Sequence, residues 1–213
     1  MPQWVRGAIC RASRELDLAS AARAAEPWEL PTASMALVRE RGGQLEYVTL
    51  GDCKAIVEDG GGVLVATENT RLEQLDRRLV EEIKALHRRG VRGFQDVFAA
   101  LIGQLRAHRA RVNTPGGYWV LGSSEAAADH LDMGVLDAGG VRHALLVSDG
   151  FYRLVDTFRL VTARELLQAA VDAGLGSLHA ELRALEAADP DCTAHPRLKP
   201  ADDATALLLR LGE

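Results

Sequence analysis

The sequence predicts an α+β fold, with two packed, mainly antiparallel sheets flanked by helices. Three observations carry that expectation. Four short extended segments follow one another between Ala33 and Thr67, separated by glycine-rich turns. Two adjacent amphipathic helices come next. Two apolar strands then lie far apart near the end of the chain, one running into Asp149-Gly150 and the other starting from Asp202-Asp203. Strands alternating with helical pairs call for layers, because each helix needs a sheet face to bury its apolar stripe.

The elements follow in order. Val5 to Ala25 carries Ile9, Leu16 and Ala19 at helical spacing, and Glu26-Pro27 ends that helix. Ala33–Glu40 and Leu45–Leu50 are strands joined by Gly42-Gly43. Gly51-Asp52 bends the chain into Lys54–Glu58, and Asp59–Gly62 turns it into Val63–Thr67. These four segments read as one β-meander. Leu72–Arg89 places Leu72, Leu75, Leu79, Ile83 and Leu86 on one stripe. Phe94–Arg111 repeats the pattern after Gly90 and Gly93, so the two helices are expected to pair and cover one sheet face. The loop Thr114-Pro115-Gly116-Gly117 leads to a strand at Tyr118–Leu121 and a short helix at Ser124–His130. Ala144–Ser148 is a buried strand. Thr162–Ala173 and Ser177–Ala188 are helices, the first opened by a capping box of Thr162 and Glu165. Asp189–Ala201 is a loop before the final strand, Ala204–Leu209.

Composition excludes several classes of function. A net charge of −5 gives no basic footprint for nucleic acid or an acidic membrane. No apolar run reaches the roughly 20 residues that span a bilayer, and Arg6, Arg11 and Arg14 interrupt any apolar leader. Cys10, Cys53 and Cys192 are few and far apart, which predicts a reduced, cytoplasmic setting. The six histidines lack ligand spacing, so zinc is not expected. The expectation is a single soluble domain over residues 1–213.

The last two strands carry the chemistry. If they lie antiparallel, Asp149 shares a rim with Asp202 or Asp203. Two carboxylates about 5 Å apart repel by roughly 3 kcal/mol at an effective dielectric near 20. All-oxygen ligands of that kind favour Mg²⁺ or Mn²⁺. Taken alone, Asp149-Gly150 also reads as an ordinary strand-end turn. Asp203 reads as a turn residue or a carboxylate behind the ligands, and Asp52 as a structural bend. Cys53 reads as a small core residue rather than a nucleophile. Gly116-Gly117-Tyr118-Trp119 reads either as aromatics beside a substrate groove or as core. His130, His143 and His195 are expected to be solvated, as is the face bearing Arg106, Arg109 and Arg111.

Gly51-Asp52-Cys53, Val147-Ser148-Asp149-Gly150 and Asp202-Asp203-Ala204-Thr205, in that order, resemble the PP2C (PPM) family of metal-dependent protein serine/threonine phosphatases, whose fold is an α-β-β-α sandwich. The resemblance covers roughly residues 32–211. It implies that Asp149 and Asp202 ligate a metal ion, Mg²⁺ or Mn²⁺, while Gly51 and Asp52 form a structural turn. It also implies a phosphoserine or phosphothreonine protein as substrate, hydrolysed by a metal-activated water. Cys53 stands where the family has serine, and Asp203 where it has asparagine. The family's Asp-Gly-x-Gly-Gly strand, its phosphate-binding arginine and its general-acid histidine have no counterpart. The expectation is therefore a form truncated at the N-terminus, with impaired chemistry. A binding or regulatory module is the alternative. The resemblance implies nothing about oligomeric state.

Overall fold

The structure is a computed structural model that describes residues 3–22, 26–66 and 70–211. It contains two antiparallel sheets face to face, with helices outside them. Helix α1 (Gln3–Ala21) comes first. Strands β1 (Met35–Arg41) and β2 (Gln44–Leu50) form a hairpin about Gly42 and Gly43, both at positive φ. Strands β3 (Lys54–Asp59) and β4 (Gly62–Ala66) form a second hairpin, whose turn is fixed by Asp59 Oδ1 accepting the Gly61 N–H (2.8 Å).

The four strands are not one meander. The first sheet has the order β1-β2-β5, where β5 is Asp132–Asp137, and the second has the order β4-β3-β6-β7. Strand β6 is Val141–Val147 and β7 is Ala206–Arg210. The chain changes sheet at Gly51, whose φ is 88°. A Cβ built there would lie 2.1 Å from Ser34 Oγ. Ser34 Oγ also accepts the Asp52 N–H (3.2 Å), so the turn is locked against the start of β1. Sequence periodicity gave no sign of β5, because it begins and ends in aspartate and carries Gly134 in its middle. That glycine makes room for Tyr47, its partner across the ladder.

Alternation along β3 divides the core. Val57 points between the sheets with Leu45, Val141 and Ala144. Ile56 points outward with Leu145, Phe151, Leu154, Leu166, Leu167, Leu178 and Leu182. Leu145 lies beside it on the neighbouring strand, and the others come from helices α4 (Asp149–Asp156), α5 (Ala163–Asp172) and α6 (Leu175–Ala188), which cover the outer face of the second sheet. The capping box of α5 is present: Thr162 Oγ1 accepts the Glu165 N–H (3.2 Å), and Glu165 Oε2 accepts the Thr162 N–H (2.7 Å). Val5, Ile9 and Cys10 of α1 cover the first sheet at Val48. Its buried stripe continues through Ser13 and Ser20 while Ala19 faces solvent, because Ser13 Oγ is drawn to the Ser124 carbonyl (3.3 Å).

Helices α2 (Thr70–Arg88) and α3 (Phe94–Arg109) do not cover a sheet face, since α1 and α4–α6 already do. They pack on each other through Leu79, Ile83, Leu86, Val97, Leu101 and Leu105, with Leu198 inserted from the C-terminal loop. Nor is the basic face of α3 simply solvated. Arg106 stacks over Trp28 (5.7 Å to the ring centroid), and Arg109 Nη2 donates to the Leu30 carbonyl (3.0 Å). Residues 118–121 form only a bridge from Leu121 to Ala33. Asn113 explains this: its Oδ1 accepts the Val120 N–H (2.9 Å) and its N–H donates to the Tyr118 carbonyl (2.8 Å). Those backbone groups are satisfied by a loop instead of a strand. Among the described residues no helix is long and apolar enough to cross a membrane.

The burial pattern gives a direct test. Leu145→Ala empties a fully buried position and is expected to cost about 2–5 kcal/mol, read as a lower urea midpoint at unchanged slope. Leu207→Ala, at a position 54% exposed, is expected to cost less than about 0.5 kcal/mol in the same titration.

A candidate site between the strand ends

Strands β6 and β7 are antiparallel, with Val147 opposite Ala206. The pairing extends one step past the ladder. The Ser148 N–H donates to the Thr205 carbonyl (3.0 Å), and the Thr205 N–H donates to Ser148 Oγ (3.0 Å). Asp149 is not in a turn but is the first residue of α4, entered from Ser148 in an extended conformation. Gly150 is required there by close approach. A Cβ at that position would lie 2.0 Å from the Asp203 carbonyl oxygen. The segment bearing Asp202 therefore lies directly against the start of α4.

Asp149 and Asp202 both line a cavity of about 290 Å³. Asp52, Glu73, Asp76 and Asp156 line it too, together with Lys54, Arg153, Arg197 and Lys199. The two expected ligands differ in their partners. Among the described residues Asp149 has no ion pair. Burial raises its pKa, the charge of Asp52 adds to the rise, the Gly150 N–H opposes it, and Asp202 adds a further increment. Asp202 is instead bound on both oxygens. Arg153 Nη2 donates to Oδ2 (3.0 Å), Lys199 Nζ to Oδ1 (2.9 Å), and the Asp203 N–H also to Oδ1 (3.1 Å).

Those partners belong to a larger buried network. Arg153 Nη1 donates to Glu186 Oε1 (2.9 Å), and Arg183 pairs with the other oxygen of Glu186. Arg183 Nη2 also donates to the Asp202 carbonyl (2.8 Å). Arg197 donates to Asp189 Oδ2 (2.7 Å) and to the carbonyls of Asp189 (2.7 Å), His195 (2.9 Å) and Pro200 (3.1 Å). Burial pushes Asp189 up, but N–H donors from His195 and Ala194, then Arg197 and Thr193, outweigh it and hold the carboxyl below the usual aspartate range. His195 is accordingly part of the folded loop, its ring 5.1 Å from that of Phe158, rather than a solvated residue.

The remaining acids crowd one another. Asp76 keeps part of its surface in water, yet burial of its carboxyl and the charges of Asp52, Asp149, Asp156 and Glu73 push it up to about 7. Burial also raises Asp156, against Thr157, Lys54 and Arg153. The Cys53 thiol is pushed up to about 11 by burial, Asp52 and Asp149, which disfavours the thiolate. Lys54 lies 3.8 Å from Glu73 and 5.1 Å from the centre of the Tyr152 ring.

A second cavity of about 300 Å³ adjoins across the Gly51-Asp52 turn. Trp119 and His130 stack on its wall, with ring centroids 3.7 Å apart and planes at 8°. Trp119 is thus half-buried at a cavity and not in the core, and His130 is not merely solvated. His143 likewise pairs with Glu58 (3.0 Å).

Sequence reasoning missed Arg153, Lys199, Asp76 and Asp156. Asp76 had a legible signal: it interrupts the apolar stripe of α2, four residues after Leu72 and three before Leu79. Arg153 and Asp156 had none while α4 went unrecognised. The donor set suits a hard cation in chemistry, being all oxygen. In geometry it does not: among the described residues no group of three or more His, Cys, Asp or Glu side chains is placed to hold a metal ion. With Asp202 bound to two protein cations, these residues do not fit a Mg²⁺ or Mn²⁺ centre.

No protein-family model matches the chain, and no curated protein matches it by sequence. Solved structures do. PppA of Pseudomonas aeruginosa, described as a key regulatory component of T6SS, aligns with a TM-score of 0.56 at 18% identity, over 97% of this chain and 68% of that one. The serine-threonine phosphatase 2C of Toxoplasma gondii aligns at 0.56 and 14% identity, over 99% and 68%. Serine/threonine phosphatase Stp1 of Staphylococcus aureus aligns at 0.52 and 15% identity, over 99% and 67%. The chain has a PP2C-like fold, as its three short motifs led us to expect.

Two predictions come from these groups. Arg197→Ala leaves Asp189 charged and buried and is expected to cost about 3–5 kcal/mol in chemical unfolding. The raised Asp76 pKa has the opposite sign to an ordinary ion pair. Between about 4, the unfolded value, and about 7, the folded state holds the extra proton. Stability is therefore expected to fall as pH rises through that window. Asp76→Asn should flatten the fall, so that its Tm advantage over the wild type is larger at pH 8 than at pH 5. An equal advantage at both would show that Asp76 titrates normally.

Proposed function

We propose that this chain acts as a single PP2C-like phosphatase domain on phosphoserine and phosphothreonine in other proteins, with impaired chemistry. One observation carries the reading: the β6–β7 pairing brings Asp149 and Asp202 to one acid-lined cavity in a PP2C-like fold. The crowded carboxylates of Asp52, Asp76, Asp149 and Asp156 support a site that receives positive charge. This reading takes Mg²⁺ or Mn²⁺ as its cofactor; because the side chains as placed do not form a centre for it, Asp149 is the one expected ligand left accessible to a weakly held ion. The binding of Asp202 to Arg153 and Lys199 is the reason to expect slow turnover. A cytoplasmic setting goes with the same proposal, and no disulfide links Cys10, Cys53 and Cys192.

That commitment of Asp202 also favours a second reading. A PP2C-like module that binds phosphoprotein without hydrolysing it would keep the cavity and the sheet, and would need no metal centre.

Hydrolysis of an aryl phosphate and of a phosphothreonine peptide, in Mn²⁺ and in EDTA, separates the two. The enzyme reading expects slow turnover that requires Mn²⁺ and is lost in Asp149→Asn. A folded sample that binds the peptide but releases no phosphate supports the module. Neither binding nor release would end both readings.

A further inference from the structure

The two aspartates that sequence places as equals are not equals in the fold, and charge says why. The corner around Asp202 contains Arg153, Arg183, Arg197 and Lys199, four cations, facing Glu186, Asp189 and Asp202, three carboxylates. Across the cavity, Asp52, Glu73, Asp76, Asp149 and Asp156 crowd around Lys54, with Arg153 the further cation whose charge reaches Asp149 and Asp156. Both oxygens of Asp202 are within 3.0 Å of a guanidinium or ammonium nitrogen. Its carboxylate is mostly shielded from solvent, as is Arg153.

We propose that Arg153 and Lys199 occupy, at Asp202, the place a divalent cation would take, and that this strand end is held closed by protein cations instead of a metal. A divalent ion approaching Asp202 meets two positive groups already at hydrogen-bond distance, and displacing Arg153 leaves Glu186 and the Lys199 carbonyl each short of a donor. Arg153 reaches Asp202 from four residues beyond Asp149 on α4, so the same helix that presents one carboxylate neutralises the other. The inference does not rest on the phosphatase reading.

The test reads metal binding, not turnover. The Tm of the full chain is measured in EDTA and in millimolar Mn²⁺ for the wild type, Lys199→Ala, Asp202→Asn and the double variant. Lys199 is half exposed, so its replacement spares the core. An ion bound with a Kd about a hundredfold below its concentration raises Tm by several degrees. The expected result is no shift in the wild type, a shift in Lys199→Ala, and its loss in the double variant. A wild-type shift that survives Asp202→Asn also supports the proposal, because the ion then sits on the Asp149 side without Asp202. A wild-type shift abolished by Asp202→Asn overturns it. So does the absence of a shift in both the wild type and Lys199→Ala, since the clamp would then not be what keeps the ion away. Aryl phosphate hydrolysis in the same samples reports separately on the proposed function.

Discussion

The Arg197 guanidinium, in a residue only 5% exposed, is the group on which the C-terminal third of the molecule depends. Taking such a charge out of water costs several kcal/mol, so it must be met on every side. It is met by the Asp189 carboxylate and by carbonyls from the end of α6 and from the loop beyond. A cation at a helix C-terminus also answers the unsatisfied carbonyls there. Asp189 in turn accepts three consecutive N–H groups, from Thr193, Ala194 and His195. A stretch of chain without helix or strand is thereby given one conformation, and it ends at Asp202.

From there the order passes to the site. Arg153 joins α4 to α6 through Glu186 and to the loop through Asp202. A buried Glu186 is tolerable because Arg153 and Arg183 each take one of its oxygens. The result is a cavity polarised across its width, with compensated charge on the β7 side and mutually repelling acids on the side of β3, α2 and α4. Burial and then its acidic neighbours raise Asp76, while N–H donors from the loop and then Arg197 lower Asp189 against its burial.

Glycine permits the two approaches that build the site. At Gly51 a positive φ and contact with Ser34 send the chain from one sheet to the other, so that Asp52 faces the acidic cavity while Gly51 borders the Trp119–His130 one. At Gly150 the Asp203 carbonyl occupies the space a side chain would need. Two glycines, one at a sheet change and one at a helix start, set where three acidic segments meet.

The sequence by itself determined the strands β1 to β4, β6 and β7, the helices α1, α2, α3, α5 and α6, and the Thr162 cap. Each is written in local periodicity or turn chemistry, which neighbours a few residues apart decide. Tertiary structure alone decided the division of the first four strands between two sheets, because a glycine reads the same whether a hairpin continues or leaves its sheet. It decided β5, whose polar ends and central glycine conceal a strand that Tyr47 completes from across the ladder. It also decided the different fates of the two aspartates. Arg153 meets the Asp202 carboxylate from 49 residues away along the chain, and no local spacing records that pairing.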